Sequence, residues 1–534
     1  MEKSGRLRQE LGGEGLTVLR EEMVDYIKHA PDIWDVLIIG GGATGLGTAV
    51  DSAARGYKTL LLEQDDFAKA TSSRSTKLIH GGLRYLKQGN VSLVAEALKE
   101  RGLLFRNAPH LVSHLAFLIP NYRWWEGAFY GIGLKIYDML AGKLGIEKSR
   151  MLSREETLAR IPNLEGEGLK GGTIYYDGQF DDARLAITLA QTAVDLGAVV
   201  INYMKVEKLL KKNGLICGVE AVDQESGEHH QLYAKAVINA TGIFSDSIRK
   251  MDEKKAEPIL EPSQGIHLVF PKSFLGNETA ILVPQTDDGR VLFMIPWHNH
   301  VLIGTTDTGG QKPQMEPKAY PEEIEFLLQH TAKYLHQAPK KKDILSVFAG
   351  LRPLVKKGKK SSSALSREHA ILISESGLLT ICGGKWTTYR KMAQDVVDKA
   401  CLVGRLKEVA SPTETLRLHG YVEEVVHADC WSLYGRDAKQ LYDLTIHNPD
   451  WGYPLHPDLP YLPVEMVWAA RFEMARNLED LLARRTRALF LNARASIQIA
   501  PRAARLLAHE LGRDASWEKK QVEEFTKLAG HYTV

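Results

Sequence analysis

The sequence predicts an α/β protein: a Rossmann-like dinucleotide-binding domain assembled from separated segments, an inserted α+β domain and a helical C-terminal domain. Three observations predict it. The chain has 534 residues, too many for one hydrophobic core and equivalent to three or four domains at roughly 150 residues each. The stretch DVLIIGGGATGLGTAV (35–50) runs an apolar strand pattern straight into a glycine turn and a helix. Beyond about residue 405 the apolar spacing turns helical, as in MVWAARFEMARNLEDLLARRTRALF. Composition agrees with a folded chain: 44% hydrophobic and 25% charged residues exclude disordered, collagen-like and coiled-coil classes. Sixty-eight Lys plus Arg against 66 Asp plus Glu leave a net charge of +2, which gives no basis for nucleic-acid binding. Any anion site must be local. Cys217, Cys382, Cys401 and Cys430 contain no CxxC pair, so neither a metal site nor a disulfide framework is expected, and a reducing compartment fits.

In chain order, residues 1–33 form an N-terminal extension. Its charges of both signs (Glu2, Lys3, Arg6, Glu10, Glu21, Glu22) and its lack of an apolar core and cleavage site argue for a helix or tail rather than a signal peptide. Trp34–Ile39 reads as a strand, Gly45–Arg55 as a helix and Tyr57–Glu63 as a second strand, one βαβ unit. A helix over Asp182–Gly197, a strand over Val199–Asn202, a hairpin around KNGLICGVEAVD and the buried strand AKAVINATG continue that domain. GLLTICGGKWTTYRKMAQDVVDKA closes it with strand, glycine turn and helix. The dinucleotide-binding domain is therefore expected over 34–85, 179–260 and 377–404. Residues 86–178 and 261–376, with their Pro, Trp and short strands (HLVFP, RVLFMIP, HVLIGTTD), read as a substrate-binding domain. Residues 405–534 form the helical domain.

No run reaches the ~18 apolar residues of a membrane span. WWEGAFYGIGLKIYDMLAG puts Trp125, Phe129, Ile132, Ile136 and Leu140 on one helical face, widened by Trp124, Tyr130 and Tyr137. Interdomain packing is preferred to a bilayer contact for it. For Arg484, Arg485, Arg487 and Arg494 a solvated or interdomain face is preferred to anionic lipid.

Gly40, Gly42 and Gly45 give GxGxxG between strand and helix. The first permits the tight turn, the second lets backbone approach a pyrophosphate, and the third lets helix and strand pack closely. The helix N-terminus adds unpaired N–H groups and about half a positive charge. Glu63, at the end of the second strand, is placed to accept the hydroxyls of an adenosine ribose and would repel a 2′-phosphate. The missing side chains make room for a dinucleotide.

After the second strand comes SSRSTKLIHGGLRYL. With YYDGQFDDARL, INATG, IGTTDT, GLRPL and GGKWTTYRKMA in that order, the sequence resembles the FAD-dependent glycerol-3-phosphate dehydrogenases over about 35–400. The resemblance implies a D-amino-acid-oxidase-like, glutathione-reductase-like flavoprotein with non-covalent FAD that oxidises sn-glycerol 3-phosphate to dihydroxyacetone phosphate. It further implies electrons passed to a membrane quinone, a homo-oligomer, and a cytoplasmic location, peripheral on the inner membrane. A glycerol-3-phosphate oxidase using O2 shares these motifs.

Within that frame, Gly40, Gly42, Gly45, Glu63, Ser72, Ser73, Gly81, Gly82, Val206, Ala240, Gly242, Gly384, Lys385 and Thr387 are assigned to the cofactor. Hydride removal from a secondary alcohol needs a base for the hydroxyl proton and cations for the phosphate. His80, beside two glycines that suggest a group pressed on a flat cofactor, is the candidate base, and His267 in SQGIHLVFP its competitor. Arg352 is placed to polarise the substrate oxygen or the reduced flavin. Arg84, Tyr85, Arg367, Arg352 and Lys385 are the substrate-binding candidates.

Overall fold

The computed structural model describes residues 20–29, 33–82, 86, 89–284, 286–287, 289–356, 369–425 and 431–534. Two sheets organise the chain. Along the main path of the first, eight-stranded sheet the strands run His369–Ile373, Leu379–Gly383, His229–Asn239, Trp34–Ile39, Thr59–Leu62, Val199–Ile201. The four pairings from Leu379–Gly383 to Val199–Ile201 are parallel, with Ile38 opposite both Ile238 and Leu61. Parallel strands covered on both faces need continuous apolar runs. WDVLII meets that need, since only Asp35 among its six residues is not buried. Helices Ala43–Ala54, Asp182–Asp195 and Tyr389–Val403 pack on this sheet and on one another. The hairpin Met204–Lys212/Leu215–Asp223 turns at Asn213 and Gly214, both at positive φ, and pairs with the first half of His229–Asn239.

The second sheet has nine strands. Its path is Ser346–Arg352, Ser263–Pro271, His300–Gly304, Leu292–Trp297, Thr279–Val283, Val112–Asn121, Gly171–Phe180, Leu78–Ile79, with Arg150–Leu152 added on Gly171–Phe180. The two sheets share chain at positions the sequence divided differently. His369–Ile373, expected in the substrate domain, pairs antiparallel with Leu379–Gly383 in the first sheet. A tight turn closed by Gly377 at φ +88° makes the two strands a hairpin, and a short apolar strand carries no mark of the sheet it joins. Leu78–Ile79, expected in the cofactor domain, pairs with Gly178 and Gln179 in the second sheet.

The helical expectation for 466–490 is interrupted. The helix Pro463–Phe472 stops, Met474 takes φ +54°, and a wide turn forms over Asp480–Arg485. Asp480 accepts the backbone N–H groups of Arg476 and Asn477 and so starts the new turn. Arg484, Arg485 and Arg487 are neither solvated nor available to lipid. All three are buried, and Arg484 and Arg485 clamp Asp66 of the cofactor domain from two sides at 2.5 and 2.6 Å. Of the N-terminal extension, helix Arg20–His29 docks on the first sheet, burying Met23, Val24 and Ile27 and pairing Arg20 with Asp223 at 2.7 Å. Residues 1–19 lie outside the described residues.

Helix Glu126–Ala141 is placed differently from the expectation of interdomain packing. Leu134, Tyr137 and Ala141 face inward, whereas Trp124 and Met139 are 88% and 78% exposed and Phe129, Ile132 and Ile136 also face solvent. Apolar residues lie on both faces, so helical periodicity alone could not tell which face packs. No described helix is long and apolar enough to cross a membrane.

Candidate active site

A cavity of about 560 Å³ opens at the C-terminal ends of the parallel strands, where Ile39, Leu62, Ala240 and Cys382 meet residues of the second sheet. This is where open α/β sheets bind their ligands. Its floor is the glycine turn. Gly40 has φ +111°, and a Cβ there would sit 2.7 Å from the Ala240 carbonyl oxygen. Gly42 caps helix Ala43–Ala54 and edges the cavity. A Cβ on Gly45 would lie 1.8 Å from the Gly40 oxygen, so this glycine works beneath the floor, closing helix onto strand. Ser72 Oγ accepts the Ala43 N–H at 3.0 Å, which leaves its hydrogen for a phosphate oxygen.

Glu63 lines the same cavity. One carboxylate oxygen accepts Gly41 N–H at 2.6 Å and the other Asp65 N–H at 2.8 Å, leaving a further lone pair on each. Burial pushes its carboxyl up to about 7 against an ordinary value of 4.5. Ribose hydroxyls donating to it favour the charged form, so FAD affinity is expected to rise as pH increases through about 7, with release of a proton. Without FAD the sign is opposite: ionising this buried group costs stability, which falls as pH rises from 4.5 through about 7. Titration of FAD into the apoprotein from pH 6 to 8 checks this, and Glu63→Gln should flatten the profile.

Val206, Ala240, Gly242, Gly384, Lys385 and Thr387 also line the cavity. Gly384, at φ +74°, has its Cβ position filled by Met392 Sδ 2.3 Å away. Lys385 precedes the turn Trp386–Thr388 and helix Tyr389–Val403, and Trp386 Nε1 donates to the Ser72 carbonyl at 2.8 Å. Besides Gly45, three assigned residues are not on the wall. Ser73 is buried, and its carbonyl accepts Lys77 Nζ and Arg487 Nη2. Gly81 and Gly82 are buried next to His80, and a Cβ on Gly81 would meet Tyr137 and Leu98. Arg84, Tyr85 and Arg367 lie outside the described residues.

His80 and His267 both reach the cavity. His80 follows strand Leu78–Ile79, is half-buried, and meets Phe293 edge-on at 6.4 Å. Thr387 Oγ1 lies 3.3 Å from both its backbone N and O. His267 is 2% exposed, stacks on Phe348 at 5.0 Å, and has Nε2 3.0 Å from Thr76 Oγ1. Burial first, then Lys77 and Arg352, hold its imidazole well below the usual histidine range. Its charged form is disfavoured there. Arg352 ends strand Ser346–Arg352 and is aimed by the Gln264 and Thr306 carbonyls (3.2 and 3.0 Å) and Thr305 Oγ1 (2.9 Å), with Asp307 at 3.4 Å. A Cβ at residue 265 would overlap its guanidinium at 2.3 Å, which is why glycine stands there.

Sequence reasoning missed Lys77. Fully buried, it pairs with Asp182 at 2.6 Å beside Trp297 and Phe348, and burial lowers it to about 7 despite that partner. The only signal was a lysine in the loop after SSRS and two adjacent aspartates in QFDDARL. Arg74, buried at the cavity edge, pairs with Glu316 at 2.5 Å, and Tyr532 Oη donates to the other Glu316 oxygen at 3.0 Å.

Residues 35–390 match the family model described as FAD dependent oxidoreductase, and 375–520 the model described as C-terminal domain of alpha-glycerophosphate oxidase. Fold and site thus define a flavoprotein oxidoreductase, and FAD is its cofactor. The glycine floor, the Glu63 carboxylate with its remaining lone pairs and the helix N-terminus suit that group.

The chain is 39% identical to mitochondrial glycerol-3-phosphate dehydrogenase of Mus musculus, over 96% of this chain and 75% of that one. It is 42% identical to the probable mitochondrial enzyme of Caenorhabditis elegans, over 92% and 72%. The structure of the glycerol-3-phosphate dehydrogenase from Bacillus halodurans complexed with FAD superposes with a TM-score of 0.78 at 30% identity, covering 96% of this chain and 98% of that one. The chain belongs to the FAD-dependent glycerol-3-phosphate dehydrogenase family. L-alpha-glycerophosphate oxidase from Mycoplasma pneumoniae, at 19% identity and a TM-score of 0.57, shares the fold.

Proposed function

We propose that the protein oxidises sn-glycerol 3-phosphate to dihydroxyacetone phosphate and delivers the electrons to a membrane quinone. The observation that carries the reading is one cavity that joins the glycine turn and Glu63 to His80, Arg352 and Lys385. FAD, when bound, would supply the two-electron acceptor for the hydride that leaves C2. The chain supplies the rest. His80 takes the C2 hydroxyl proton. Arg352, already oriented by three oxygen acceptors, meets the substrate oxygen or phosphate without further ordering. Lys385 adds a second cation, and Arg84, Tyr85 and Arg367 complete the phosphate set assigned from sequence. His267, buried, lines the same cavity.

The exposed apolar face of helix Glu126–Ala141 supports peripheral docking, with Trp124, Phe129, Ile132, Ile136 and Met139 entering the interface of the inner membrane from the cytoplasmic side. The match of 375–520 to an oxidase C-terminal domain favours a second reading in which O2 reoxidises the flavin. Anionic liposomes carrying ubiquinone separate the two. Co-flotation of the protein, with quinol formed and little peroxide per glycerol 3-phosphate consumed, is expected. Failure to float together with one peroxide per turnover favours the oxidase.

A further inference from the structure

We infer that Tyr137 is a positioning residue for His80, acting through the backbone of Gly81; the inference rests on the reading of His80 as the proton acceptor. Tyr137 lies on the inner side of helix Glu126–Ala141, 1% exposed. Its hydroxyl accepts the Gly81 N–H at 2.8 Å and donates to Asp177 Oδ2 at 2.7 Å. Asp177 Oδ1 accepts Arg101 Nη1 at 2.6 Å. Asp177 and Arg101 are buried as deeply, at 2% and 1% exposure. A phenol has one hydrogen, and Asp177 takes it, so the lone pair facing Gly81 is committed to acceptance. Burial and Asp177 raise the Tyr137 phenol well above its ordinary range, so this polarity does not reverse near neutral pH.

The first glycine of HGG has its reason here. A Cβ at residue 81 would stand 2.6 Å from Tyr137 Oη and 2.7 Å from Leu98 Cδ2. The missing side chain admits the phenol to the peptide that follows the imidazole. On the opposite side Thr387 Oγ1 meets the His80 backbone from the cofactor-side turn. The strand leading in, Leu78–Ile79, is only two residues long and cannot hold the loop alone. His80 is thus gripped on both flanks, and Tyr137 is the grip reached from outside the cavity. Displacement of a reacting group by about 1 Å costs on the order of 10²-fold in rate, so loss of one grip has a measurable effect.

The test uses FAD-loaded Tyr137→Phe, His80→Asn and the double variant in anaerobic single-turnover reduction by glycerol 3-phosphate. Tyr137→Phe is expected to slow flavin reduction about tenfold, with FAD content and substrate affinity unchanged. In the His80→Asn background it should have no further effect, because both changes act through one imidazole. Multiplying effects would overturn the inference. The ¹³Cε1 resonance of His80, identified by its loss in His80→Asn, should shift in Tyr137→Phe and in Gly81→Ala, with and without FAD. An unmoved resonance overturns the positioning role. Near-normal reduction by His80→Asn alone would instead overturn the reading of His80 as base.

Discussion

Replacing His80 by Asn is expected to slow flavin reduction by glycerol 3-phosphate by ~10²–10⁴-fold, the usual contribution of a positioned base, while FAD stays bound. Asparagine keeps the size and polarity of the position but has no basic nitrogen. The Gly40 turn, Glu63 and Ser72, assigned to the pyrophosphate and ribose, are untouched by the substitution, so the variant should purify yellow. The competing histidine differs in environment. His267 is sealed between Phe348 and Thr76, and burial and nearby cations disfavour its protonated form. His80 is half-buried at the cavity wall. Stopped-flow absorbance without O2 measures the rate, and a near-normal value would move the proton to His267.

Gly45→Ala is expected to yield colourless protein with a lowered melting temperature. Its Cβ would lie 1.8 Å from the Gly40 oxygen, deep inside contact distance, and the clash is with backbone. Neither partner has room to retreat. Gly40 is tied to the second strand by its N–H on the Leu62 carbonyl at 2.9 Å, and the helix is packed on Asp182–Asp195 and Tyr389–Val403. Overpacking a well-filled core typically costs about 1–3 kcal/mol, occasionally more, and here the strain falls on the turn that must touch a pyrophosphate. Gly133→Ala is the control. That glycine sits in the exposed helix with open space around its Cβ position, so the variant should remain yellow and gain up to about 1 kcal/mol of helix propensity. The flavin spectrum and a thermal melt distinguish the two.

What could be read from the sequence followed one rule: local chemistry was legible, and the partner across space was not. The strand-turn-helix of 34–54 and Glu63 carry their meaning within one βαβ unit, because close approach and ribose contact depend on spacing along the chain. The glycine after His80 shows the limit. HGG correctly marked a crowded spot, but the crowding group is Tyr137, 56 residues away, and nothing local names it. For the arginine-rich segment 484–487 the sequence left a solvated and an interdomain face open, because the partner Asp66 that makes it interdomain is more than four hundred positions distant. Helix Glu126–Ala141 was ambiguous for a different reason: aromatic residues ring it, and which side meets protein is decided by Gly81 and Asp177. Lys77 was invisible because a buried lysine is exceptional, tolerated only where Asp182 and the Ser73 carbonyl receive it.

Anaerobic addition of sn-glycerol 3-phosphate to the purified yellow protein tests the joint claim of cofactor, substrate and cavity most directly. Loss of the oxidised flavin band, with one dihydroxyacetone phosphate formed per flavin, is the predicted result. A band that persists with this substrate yet disappears with dithionite would contradict it.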